Sequence, residues 1–94
     1  MKKAIQFKDV LGNTIQFKTA VDTFRQLESK PCWIVESRKI FPQTTRWVRF
    51  QVLENQYFET DAEAQNAIKK HISEYAEKAQ KLGKRKIQFE EVLL

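Results

Sequence analysis

The stretch from Thr45 to Leu82, TTRWVRFQVLENQYFETDAEAQNAIKKHISEYAEKAQKL, constrains the fold more than any other. Val48, Phe50 and Val52 alternate with Trp47, Arg49 and Gln51, the period of a strand with one buried and one wet face. Glu54 and Asn55 predict a tight turn, because Asn tolerates positive φ, and Tyr57 and Phe58 return the chain as a second hairpin strand. Thr60 followed by Glu63 is a capping-box pattern, in which hydroxyl and carboxylate satisfy backbone N–H groups that a new helix leaves unpaired. Ala64, Ile68, Ile72, Tyr75, Ala79 and Leu82 then fall near one helical face, and Gly83 supplies the residue that ends it.

Upstream, residues 3 to 10 and 14 to 18 predict a first hairpin: Ile5 and Phe7 alternate with Gln6 and Lys8, Ile15 and Phe17 with Gln16 and Lys18, and Gly12-Asn13 supply the turn. Thr19 with Asp22 repeats the capping logic. Val21, Phe24 and Leu27 recur near helical spacing, so a short helix is expected to about residue 29, ended by Lys30-Pro31. Residues 32 to 41, CWIVESRKIF, are dense in β-branched and aromatic groups and predict a strand that Pro42 stops. Residues 86 to 93 form the last expected strand, with Ile87 and Phe89 opposing Gln88 and Glu90. The expectation is an α+β single domain over residues 1 to 94, mainly an antiparallel sheet, in the order β-β-α-β-β-(β)-α-β, with two helices on one face. Ile-Gln-Phe recurs at 5, 15 and 87, and Phe17-Lys18-Thr19 before the first helix parallels Phe58-Glu59-Thr60 before the second. Internal duplication and common strand composition both produce such echoes.

Ninety-four residues suit one shared core, and 41% hydrophobic with 31% charged residues, only two Gly and two Pro, argues against a disordered tail. MKKAIQFKDV lacks the apolar run of a signal peptide, and no run of 18 apolar residues occurs, so a cytoplasmic protein with no membrane partner is expected. Cys32 is the only cysteine. It has no disulfide partner within the chain, and its neighbours Trp33, Ile34 and Val35 predict a buried structural thiol. His71 is the only histidine, with no identifiable nucleophile or orienting carboxylate, and no glycine-rich phosphate loop, calcium loop or histidine metal motif is present. Glu59, Asp61 and Glu63 read as charges complementing a helix N-terminus. The expectation is therefore a non-enzymatic protein with no catalytic residues, no metal and no cofactor.

The formal charge of +5 suggests an acidic partner. The segment Ser37 to Arg49 holds Arg38, Lys39, Arg46 and Arg49 and no acid, interleaved with Trp47. Cations and an indole gathered on one sheet face suit phosphate contacts with a base stacked on the ring. With Gln51 these form the candidate binding set; solvent-facing strand charges that discourage edge-to-edge association give the same pattern. Lys81, Lys84, Arg85 and Lys86 make a second basic group, which the partial negative charge of a helix C-terminus also explains. The far end of the long helix, Tyr75 to Leu82, is available to a partner or to a second copy in a homodimer, unless Val92, Leu93 and Leu94 cover it.

Trp47-Val48-Arg49-Phe50, a return strand ending Phe58-Glu59-Thr60 and a helix opening Asp-Ala-Glu-Ala-Gln-Asn-Ala-Ile resemble, over residues 46 to 72, AP2-like DNA-binding domains and the arm-binding domains of tyrosine integrases. That resemblance implies strands approaching DNA with the helix packed behind the sheet, and carries binding positions onto Trp47, Arg49 and Gln51. The hairpin departs from those families in lacking their glycine-rich basic turn, with Glu54-Asn55 at its tip. In kind only, the chain is similar to small phage-encoded proteins, including anti-CRISPR inhibitors. Two functions follow as expectations: a small basic binding protein, phage or mobile-element encoded, that engages nucleic acid or a nucleoprotein complex through a Trp/Arg surface; or a protein-directed inhibitor of a host defence complex that acts by steric occlusion.

Overall fold

The computed structural model describes residues 3 to 27, 30 to 83 and 86 to 94. The first hairpin forms where the alternation predicts it. Strand β1 (Lys3–Lys8) pairs antiparallel with β2 (Thr14–Leu27), matching Ile5 with Phe17, Gln6 with Gln16 and Phe7 with Ile15. Gly12 has φ +88°, a conformation that side-chain-bearing residues rarely adopt. The turn is also built by Asp9: its Oδ1 accepts from the backbone N–H of Leu11 and of Asn13, both at 2.9 Å, and its Oδ2 accepts from Asn13 Nδ2 at 3.1 Å.

The helix expected from residue 19 is replaced by strand. β2 continues to Leu27 and pairs antiparallel with β3 (Lys30–Phe41), while residues 28 and 29, the end of the expected helix, lie outside the described residues. Three apolar residues at spacing three are too few to impose a helix, and Thr19, Val21 and Thr23 are β-branched residues that suit a pleated surface. Thr19 caps nothing; its hydroxyl donates to Asp61 on the helix that does form. Past the Asp22–Cys32 pair the register slips, four residues of β2 advancing against one of β3 before Gln26 meets Pro31. At this irregularity Asp22 Oδ1 accepts from the Phe24 N–H at 3.0 Å.

The second hairpin is also replaced. Only Val48–Arg49 form strand β4, pairing antiparallel with Ser37 and Glu36 of β3. The chain then enters a one-turn 3-10 helix, Gln51–Leu53, and Phe58 bridges to Trp33 rather than returning along residues 48 to 52. The free edge of β3 explains both contacts: Phe50 N donates to Val35 O at 3.0 Å, and Phe58 and Trp33 exchange backbone bonds of 2.7 and 3.0 Å. Val48 and Val52 are 52% and 62% exposed, so their alternation with Arg49 does not mark a buried face.

Helix α1 (Asp61–Lys81) begins and ends as the sequence predicts. Thr60 Oγ1 accepts from Glu63 N at 3.2 Å, while Glu63 Oε2 accepts from the Glu59 N–H, one residue ahead of the usual reciprocal bond. Gly83 follows the helix with φ +74°. Strand β5 (Phe89–Leu93), shorter than the expected 86 to 93, pairs antiparallel with β1. The sheet order is β4-β3-β2-β1-β5, and α1 is the one α-helix among the described residues. The fold is therefore α+β, with one main helix and a five-stranded antiparallel sheet.

Ala64, Ile68 and Ile72 of α1 pack on Ile5, Phe7, Phe17 and Val35, with Leu53 and Ile87 completing the core. Cys32 is fully buried, as a structural thiol would be. Of the stretch 75 to 82, Tyr75 stands edge-on to Phe7 and accepts from the Val10 N–H at 3.1 Å, Ala76 packs on the core and Ala79 is buried. Only Leu82 of its large apolar residues stays outside, 76% exposed. Ile87 joins Ile72 and Ala79 in the core cluster, whereas Leu93 and Leu94 are exposed.

Candidate nucleic-acid interface

Strand pairing divides the sheet into two faces. Because successive side chains point to opposite sides, the residues matched with Gln6 lie on the side away from α1. One row runs across four strands at this register: Glu90, Gln6, Gln16 and Arg38. Arg38 Nε donates to Gln16 Oε1 at 2.9 Å, Gln16 Nε2 to Gln6 Oε1 at 2.9 Å, and Gln6 Nε2 to Glu90 Oε1 at 3.2 Å. Every link points the same way, from the cation toward the carboxylate, so Arg38 is held by an amide relay instead of a direct ion pair. Gln16 is only 6% exposed, and both of its amide atoms are used.

Trp47 lies on this open face. Its ring centroid is 4.5 Å from Arg38 Cζ and 4.6 Å from Lys18 Nζ, contacts in which a cation meets the negative face of a π system. The indole is partly buried: instead of standing free, as the sequence suggested, it lies over the two cations. Lys18 also pairs with Glu36 at 3.6 Å, the partner opposite it in β3. The next position along that register is Arg49. Its Cζ is 4.9 Å from the Tyr57 ring and its Nη2 donates to Glu54 O at 2.9 Å, leaving Nε buried without an acceptor. Among the described residues, neither Arg38 nor Arg49 joins an ion pair.

The candidate residues thus separate. Arg38, Trp47 and Arg49 share the open face, with Arg46 exposed beside Trp47 and Gln51 exposed on the 3-10 turn. Lys39 is on the helix side, matched with Ile15, as alternation from Arg38 requires. Lys81 and Lys86 are exposed at the end of α1 and ahead of β5; Lys84 and Arg85 lie outside the described residues. Sequence reasoning missed Lys18, Gln6, Gln16 and Tyr57. A signal for the glutamines was present, since the Ile-Gln-Phe triplets at 5 and 15 face each other in register.

His71 lies on the helix side, its ring centroid 4.8 Å from that of Phe50 and 6.1 Å from that of Phe17. Burial lowers its pKa below the ordinary 6.5; Glu74 opposes the shift and Lys78 adds to it. Among the described residues no three His, Cys, Asp or Glu side chains gather as a metal site would require, and no helix is long and apolar enough to cross a membrane. No family model, curated protein or solved structure matches the chain.

Proposed function

We propose that the open sheet face is a nucleic-acid interface in a small, basic, non-enzymatic binding protein. The observation that supports this most is the placement of Trp47 over Arg38 and Lys18, with Arg49 on the same face. Arg38 and Arg49, bound through amide and carbonyl oxygens rather than carboxylates, retain net charge for phosphates. A base would stack on the part of the Trp47 ring left uncovered, and Arg46 would reach the adjoining phosphate. An open sheet face with a helix behind it is also the arrangement implied by the resemblance to AP2-like and integrase arm-binding domains. The test is fluorescence anisotropy with labelled single-stranded and duplex oligonucleotides at low salt. Binding lost on Trp47→Ala and on Arg38→Gln supports the interface, and no binding to any oligonucleotide at 20 mM salt ends it.

A second reading has its own support. Beyond the Asp22–Cys32 pair, β2 and β3 continue as a two-stranded ribbon, where Phe24 is 100% exposed; Val21, one residue before that pair, is also exposed. An uncovered phenyl ring is a candidate anchor for a protein partner. In this reading the chain is a protein-directed inhibitor, of the anti-CRISPR kind, that occludes a surface of a host defence complex. Pull-down after nuclease treatment separates the two readings: a stoichiometric protein that depends on Phe24 supports inhibition, and recovery of none counts against it.

A further inference from the structure

On the helix side of the sheet, a pocket of about 340 Å³ opens between α1, β1 to β3 and the segment around β4. Phe7, Phe17 and Phe50 supply aromatic walls, and Ile15 and Val48 supply aliphatic ones. Its size falls near the lower end of the range of about 300 to 1,000 Å³ typical of small-molecule sites. The Phe17–Ser37–Val48 row places a small side chain, Ser37, on the floor of this space.

The polar groups around these walls are few and differ in availability. Asp9 is occupied by the 11–13 turn, and Tyr75 Oη accepts from Val10. Ser37, Lys39 and His71 side chains, in contrast, hydrogen-bond to no described residue. Lys39 is fixed at the mouth through its backbone: Thr45 N donates to Lys39 O at 2.9 Å, and Lys39 N donates to Thr45 Oγ1 at 3.0 Å. The lining therefore offers aromatic surface, the Ser37 hydroxyl, an imidazole and one unpaired ammonium, with Thr45 Oγ1 engaged by the Lys39 N–H and the Arg38 guanidinium by Gln16.

The geometry points to a binding site for a small aromatic monocarboxylate, its ring laid against the Phe17–Phe50 edge-to-face pair, whose centroids are 4.9 Å apart, and its carboxylate on Lys39 with Ser37. Volume selects a ligand of one or two rings, and the unpaired ammonium selects an anion over a neutral or cationic ring. Most of the lining lies on the helix side; Arg38, which also borders the pocket, is left unsubstituted in the test, so that loss of carboxylate binding and loss of nucleic-acid binding are read from different variants.

Titration of ¹⁵N-labelled protein with 2-naphthoate, and separately with neutral 2-naphthamide, tests the assignment. Saturable shifts should centre on Ser37, Val48, Phe50 and His71, with 2-naphthamide bound at least tenfold more weakly. Lys39→Met should reduce that preference below threefold, and Ser37→Leu, which fills the floor, should weaken 2-naphthoate at least tenfold. Val48→Trp narrows the mouth at an exposed position and repeats the blocking test without disturbing the core. Shifts scattered over exposed apolar residues such as Phe89 and Leu93, equal affinity for acid and amide, or unchanged affinity in folded Val48→Trp would overturn the proposal.

Discussion

Replacing Gln16 with leucine tests the amide relay that holds Arg38. The substitution preserves approximate size but deletes two hydrogen bonds of 2.9 Å, leaving Gln6 Oε1 and Arg38 Nε without their partners. A buried polar group left unmet costs about 1 to 3 kcal/mol, and water reaching the partly buried Gln6 and Arg38 moderates the second loss. The added apolar burial recovers some of it, so a net destabilisation of about 2 kcal/mol is expected. For a domain of this size that lowers Tm by roughly 8 to 16 °C. Thermal and urea unfolding followed by circular dichroism would measure it. In Gln6→Leu/Gln16→Leu the orphaned Oε1 is also gone, so the double variant should be more stable than the sum of the single losses by about 0.5 kcal/mol or more. A single-variant loss below about 0.5 kcal/mol, together with additivity, would refute the relay as a structural element.

Three further outcomes follow from particular contacts. Thr60→Ala removes the acceptor of the Glu63 N–H and should cost about 1 kcal/mol in urea unfolding, with Thr60→Ser retaining most of it. Burial lowers His71 below its unfolded 6.5, so below that pH the unfolded chain binds more proton and stability should fall as pH drops toward the folded value; above pH 6.5 this penalty is absent. Urea midpoints at pH 7.5 and 5.5 should separate less in His71→Phe than in the parent protein, and an unchanged separation would contradict the assignment. Phe24→Ser should leave the unfolding free energy within about 0.5 kcal/mol of the parent, because a fully exposed ring contributes no burial; a larger loss would show that the ring packs within the fold.

What could be read from the chain was local chemistry. The Gly12-Asn13 turn, the Thr60–Glu63 cap and the stop at Gly83 each depend on neighbouring residues, and each occurs; the last strand forms too, but only over Phe89–Leu93 and by pairing with distant β1. The two failures were decided by distant partners. Residues 19 to 27 contain an apolar spacing that fits a helix, but pairing with β3 fixes them as strand. Tyr57 and Phe58 were positioned to return along Val48 to Val52, yet the open edge of β3 at Trp33 captured Phe58 instead. At the site, alternation alone separates Arg38 from Lys39, so the opposite placement of these neighbours was legible from the strand assignment. The meeting of Lys18 with Trp47 was not, because it requires both the β2–β3 register and the path of the loop after Pro42.

The most direct measurement of the central claim is the salt dependence of single-stranded oligonucleotide affinity for the parent protein and for Arg38→Gln/Arg49→Gln. Each phosphate that the variant no longer neutralises should reduce the slope of log affinity against log salt by about 0.7. Weaker binding and a slope shallower by about 1.4 are expected in the double variant, with folding intact. Unchanged affinity and slope in that folded variant would contradict the claim.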